Sequence, residues 1–141
     1  TSFITTPTPL NNLLWYDLAK TKDGFYIGYR SIFDKQPAMQ LTFVPQNDSM
    51  LGDLRSDKGV QKLIRFSQDY YCITKHDSSG INFHDMRFGQ IGGWDNPNAD
   101  FVFSYYITKE PGNYVNINQG RFEASTGEAF NSLIRRIRGV D

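Results

Sequence analysis

Leu13-Leu14-Trp15-Tyr16-Asp17-Leu18-Ala19-Lys20, then Thr21-Lys22-Asp23-Gly24, then Phe25-Tyr26-Ile27-Gly28-Tyr29-Arg30-Ser31-Ile32-Phe33: the reading of this run decides the fold. Two segments rich in aliphatic and aromatic residues flank an Asp-Gly pair, which is a strong short-range hairpin signal. A two-residue loop at Asp23-Gly24 would set Asp17 opposite Arg30, Leu18 opposite Tyr29 and Trp15 opposite Ile32. The charge pair and the aromatic–aliphatic pair support that register together.

Working outward, Pro37 interrupts the chain, and Ala38 to Val44 reads as a third strand that ends at Pro45. Polar, cap-like residues at Asn47-Asp48-Ser49 then change the pattern. A short helical turn is expected near Ser49 to Leu54. A helix from about Asp57 to Gln68 follows, with Val60, Leu63, Ile64 and Ser67 at helical spacing. Tyr70 to Lys75 and Ile81 to Phe88 form a second hairpin around the turn Asp77-Ser78-Ser79-Gly80. Phe101 to Ile107 and Tyr114 to Ile117 are the last strands, separated by Glu110-Pro111-Gly112-Asn113. Ser125 and Glu128 have capping-box spacing at the start of a C-terminal helix. Phe130, Leu133, Ile134 and Ile137 line one face of that helix, and Gly139 is its stop. The order implies an α+β fold, with a mainly antiparallel sheet built from hairpins and two helices packed on one face.

The 141 residues suffice for one domain with a real core. Apolar residues make up only 39%, but 15% of the chain is Phe, Tyr or Trp, and each aromatic buries a large area. Fifteen basic and fifteen acidic residues cancel, so no general attraction to nucleic acid is expected. The single cysteine, Cys72, sits in an apolar strand and reads as a buried, inert thiol. No run approaches the roughly 18 apolar residues of a membrane span. The first nine residues, rich in Thr and Ser with two prolines, read as an extended connector, and residues 10–141 as a single domain.

Metal, nucleophile and nucleotide signatures are missing from the pattern. His76 falls at a turn and His84 on a strand beside Met86 and Phe88, without ligand spacing. No nucleophile elbow, P-loop or dinucleotide fingerprint occurs. Asp17, Asp34 and Asp85 could converge only through the fold. Asp85 and Arg87 share a strand face with Ile81 and Phe83, which suits an ion pair at the rim of a core or a polar cluster in a groove. Arg135, Arg136 and Arg138 read as a solvated helix face, with an anionic ligand or membrane surface as the alternative. Trp94, in a Gly/Asn/Pro loop, is either an anchor folded on the core or an exposed contact residue. The candidate groove residues are Trp15, Asp17, Tyr29, Arg30, Asp85 and Arg87.

Three stretches carry a family resemblance: Pro7-Thr8-Pro9-Leu10-Asn11-Asn12-Leu13-Leu14-Trp15, Gly24-Phe25-Tyr26-Ile27-Gly28-Tyr29-Arg30-Ser31-Ile32-Phe33-Asp34, and Asp85-Met86-Arg87-Phe88-Gly89. Together they resemble the soluble C-terminal portion of the bacterial membrane-bound, metal-dependent hydrolases, also described as inner-membrane, LexA-binding-type hydrolases. The resemblance implies a parent in the inner membrane, with this domain in the aqueous phase. It places the histidine-centred ligands of a divalent metal in a membrane part outside this chain. No catalytic residue or cofactor therefore transfers to these residues. The expected role is accessory or regulatory, with the membrane part as partner. Two alternatives stand beside it: a small-molecule-binding or catalytic domain with an aromatic-lined pocket, and a protein-interaction module, for which a homodimer through an edge strand or the Trp94 loop is one version.

Overall fold

A computed structural model describes residues 2–8, 11–112, 114–120 and 126–139. Eight strands form two antiparallel four-stranded sheets. The first holds β1 (Ser2–Pro7), β2 (Leu14–Lys20), β3 (Gly24–Ser31) and β4 (Thr42–Pro45) in sequence order. The second holds β5 (Tyr71–Lys75), β6 (Gly80–Gln90), β7 (Phe101–Glu110) and β8 (Tyr114–Gln119), again in order. Between the sheets run a 3-10 helix (Asp48–Ser56), interrupted at Gly52, and α1 (Lys58–Phe66); α2 (Thr126–Ile137) comes last. The α+β class and the hairpin-built antiparallel strands are as expected from the sequence, but the strands divide over two sheets.

Burial patterns explain the layering. In β2, Leu14, Tyr16 and Leu18 are buried while Trp15, Asp17 and Ala19 are not, so this sheet is covered on one side. In β5, Tyr71, Cys72 and Ile73 are all buried, because the second sheet is the middle layer. Its inner face meets the first sheet in a core of Tyr16, Leu18, Phe25, Ile27, Cys72, Met86 and Phe101. Its other face packs on Leu51 and on Val60 of α1 through Tyr71, Ile73, Ile81, Phe83 and Ile107. Asp57 caps α1 by accepting from the amides of Gly59 (2.7 Å) and Val60 (3.1 Å). β5 lies at a sheet edge, and its Ile73 amide and carbonyl are both taken by Gln46 and Asn47.

The first hairpin corrects the expected register. Asp17 faces Gly28, Tyr16 faces Tyr29 and Trp15 faces Arg30, two residues away from the expectation. The loop residues are Lys22 and Asp23, closed by the Thr21 amide donating to Gly24 O at 2.8 Å. Gly24 is absent from the turn because the packing requires it inside β3. A Cβ there would lie 2.4 Å from Val44 O and 2.9 Å from Pro45 Cα of β4.

Three further expectations change. Residues 2–7, read as a connector, are β1, paired with β2 from Ser2–Lys20 to Pro7–Trp15. Only Thr42–Pro45 of the expected third strand is strand, since residues 38–41 leave the edge of β3. The helices do not share a face. α1 covers the second sheet, whereas α2 lies against the end of β3 through Arg136 and the buried Ile137, leaving Phe130 59% and Ile134 36% exposed. Ser125 of the expected capping box lies outside the described residues.

Candidate functional site

The predicted groove residues are placed in three different layers. Trp15, Asp17 and Arg30 sit on the outer side of the first sheet. There Trp15 Nε1 donates to Asn12 O (3.1 Å), Asp17 accepts from Thr5 Oγ1 (2.5 Å), and Arg30 donates to Pro37 O (2.8 Å). The expected Asp17–Arg30 pair is not formed. Asp85 and Arg87 lie on the helix-facing side of β6. The guanidinium of Arg87 grips the buried Asp85 carboxylate at 3.0 and 2.7 Å, and Arg87 N adds a third bond at 3.1 Å. Arg87 also lies over the rings of Phe66 and Phe88. This is the ion pair at a core rim that the strand pattern suggested, with the Asp85 carboxylate held by three bonds from Arg87.

Tyr29 alone of the six lines a cavity of about 510 Å³ at the end of β3 that β4 does not cover. Residues 39–41 cross over Gly28 there, and a Cβ on Gly28 would sit 2.9 Å from both Met39 Sδ and Leu41 Cδ2. The strand edge left bare is covered by side chains. Arg136 of α2 donates to Tyr29 O (2.8 Å), and Asp34 accepts from the amide of Ser31 (2.9 Å). Asp34 and Arg136 grip each other at 2.7 and 2.8 Å, with side chains 7% and 12% exposed. Such bidentate pairing fixes both groups and docks α2.

The opposite wall is the loop between β6 and β7. Gln90, buried at its start, donates from Nε2 to Pro97 O (3.0 Å) and Ala99 O (2.8 Å), while its amide donates to the Tyr29 hydroxyl (3.0 Å). Trp94 stands edge-on to Tyr29 and donates from Nε1 to Ser132 Oγ at 2.7 Å. Ser132 donates in turn to Asp95, which also receives Arg135 at 3.3 Å. Trp94 is therefore an anchor between loop and helix as well as a pocket wall. Gln90 and the Asp34–Arg136 clamp carry no local signal in the sequence, since the clamp joins residues far apart in the chain.

Titration behaviour limits what these groups do. Burial pushes the Tyr29 phenol far above its ordinary range, partly offset by the Gln90 amide, so it stays protonated. Tyr16, behind it, is raised further by burial and by Tyr29, and its hydroxyl is without a partner among the described residues. Cys72 is pushed up to about 12 by burial, which makes it an inert thiol. A second cavity, about 260 Å³, contains His84. Its Nε2 meets Thr74 Oγ1 at 2.8 Å and its Nδ1 meets Ser104 Oγ at 2.6 Å. Burial pushes this imidazole down to about 4, too low for a general base at neutral pH. The main cavity thus offers contact and hydrogen bonding, with its ionic groups already paired.

Among the described residues no three His, Cys, Asp or Glu side chains are placed to hold a metal ion. No described helix is long and apolar enough to cross a membrane. Comparisons with protein-family models, with curated proteins and with solved structures found no match for this chain.

Proposed function

We propose that this chain is a binding domain, accessory to a bacterial inner-membrane, metal-dependent hydrolase of which it forms part, and that it performs no chemistry itself. The observation that carries the binding half is the cavity at the open end of β3, walled by Tyr29, Trp94 and Met39 and built across three separate chain segments. Concave, partly aromatic sites with a few placed polar groups are where small molecules bind. The parent assignment rests on the resemblance of the three sequence stretches. A ligand held here would be presented to, or sensed on behalf of, the membrane part.

Two experiments test the halves separately. A thermal-shift screen should find a ligand that raises the melting temperature, because binding to the native state stabilises it. A Gly28→Val variant, crowding Met39 and Leu41, should lose that response. Translating the DNA upstream of Thr1 should reveal several apolar spans of about 20 residues carrying histidine motifs. A start codon in their place would discard the parent assignment. A metal-dependent esterase or phosphoesterase rate, lost on mutating residues of this chain, would overturn the non-catalytic reading.

A second reading, a homodimeric interaction module, is favoured by the apolar stripe of α2. Phe130 and Ile134 are exposed, as are Ile32 and Phe33, whose turn adjoins the end of α2 at Ile137 and Gly139. Light scattering decides it: a monomer at high concentration removes the dimer.

A further inference from the structure

The cavity at the end of β3 restricts its ligand through what is already occupied. Its backbone edge is taken: Tyr29 O accepts from Arg136, and the Ser31 amide donates to Asp34. A peptide cannot add there as a further strand without displacing the clamp. Its charges are also taken, Asp34 by Arg136 and Asp95 by Ser132 and Arg135. An ionic ligand that recruited Asp34 or Arg136 would have to break a pair held almost out of water, leaving one partner with the penalty of an unpaired buried charge.

What stays available is one-sided and neutral. Trp94 has spent its indole N–H on Ser132, so it offers the ring, held in a fixed orientation. Gln36 and Gln40 line the same cavity, and their amides make no side-chain hydrogen bond among the described residues. A primary amide both donates and accepts, which suits a ligand whose hydroxyls do both. The C–H face of a sugar ring complements the negative face of an aromatic ring, and a preorganised ring lowers the ordering cost of binding.

Building on the binding reading above, we propose that this cavity takes a neutral saccharide, one ring face laid on Trp94 and its hydroxyls held by Gln36 and Gln40. The volume of about 510 Å³ accommodates one or two sugar rings.

The test is titration of the whole chain with neutral mono- and disaccharides, including N-acetylated ones, and with glucuronate and glucose 6-phosphate as charged controls. Calorimetry and tryptophan fluorescence are the readouts, Trp15 and Trp94 being the two tryptophans. Expected are saturable binding of a neutral sugar, at least tenfold weaker in Gln36→Ala/Gln40→Ala, and a fluorescence change retained in Trp15→Phe. The double variant lies on an exposed loop, so its fold is checked by an unchanged melting temperature. Failure of every neutral sugar, or preference for the charged controls, overturns the assignment. If another ligand class then stabilises the chain through the same two glutamines, the binding reading survives. If no ligand of any class does, both fall.

Discussion

Acidification should weaken this fold through one buried imidazole. His84 is 7% exposed, lodged between Thr74 and Ser104 and against the Phe101 ring, and burial lowers its pKa from 6.5 to about 4. In the unfolded chain the imidazole takes up a proton near its ordinary value, so between those two pH values the unfolded state binds more protons than the native one. Stability is therefore complete above about pH 6.5 and lost as pH falls toward 4. Each pH unit in that window costs about 1.4 kcal/mol, giving a total of about 3 kcal/mol. For a chain of this size that corresponds to a fall of roughly 10 °C in melting temperature.

Urea unfolding at about pH 7.5, 6.5, 5.5 and 4.5 measures it, with His84→Gln as the reference that keeps polar contacts but cannot titrate. Two carboxyls that also shift act below this window. At Asp48 burial is outweighed by hydrogen bonds from Tyr71 and Arg55, and at Asp77 the Ser79 amide holds the carboxyl low; both lose their contribution only as pH falls below about 4. A wild-type curve level from pH 6.5 to 4.5, or an equally steep fall in His84→Gln, would refute the reasoning.

Three further outcomes follow from the packing. Gly24→Ala should cost more than about 2 kcal/mol in urea unfolding, because its Cβ meets backbone atoms of β4 that cannot turn aside. Arg87→Met, which strands the buried Asp85 carboxylate, should cost about 3–5 kcal/mol, whereas Asp85→Leu/Arg87→Met should be far closer to wild type; a double-mutant cycle measures the coupling. Asp34→Ala should loosen α2 by removing the partner of Arg136, read as faster hydrogen exchange over residues 126–139 with β5 and β6 unchanged.

Local signals identified the hairpins, α1 with its start near Asp57, and the inert character of Cys72, because each depends on neighbours a few residues apart. The Asp85–Arg87 pair was legible for the same reason, being two positions along one strand. The Asp-Gly signal misled the register, since the glycine answers to the approach of β4 and not to the turn. The apolar stripe of α2 predicted a core-facing surface, and Ile137 is buried, but Phe130 and Ile134 are exposed because the helix also docks by Ser132, Arg135 and Arg136, whose partners Trp94, Asp95 and Asp34 lie far back in the chain. Of the six groove candidates only Tyr29 reached the cavity.

The sequence by itself determined the alternation that makes β2 one-sided and the continuous apolar run that lets β5 lie in the middle layer, buried on both faces. Side-chain period and burial are local properties of a strand. Only the tertiary structure decided that the strands split into two sheets, that β4 stops short of the end of β3, and that Tyr29, Asp34, Trp94 and Arg136 meet around the opening this leaves. Those outcomes rest on long-range contacts, whose partners no periodicity or spacing along the chain encodes.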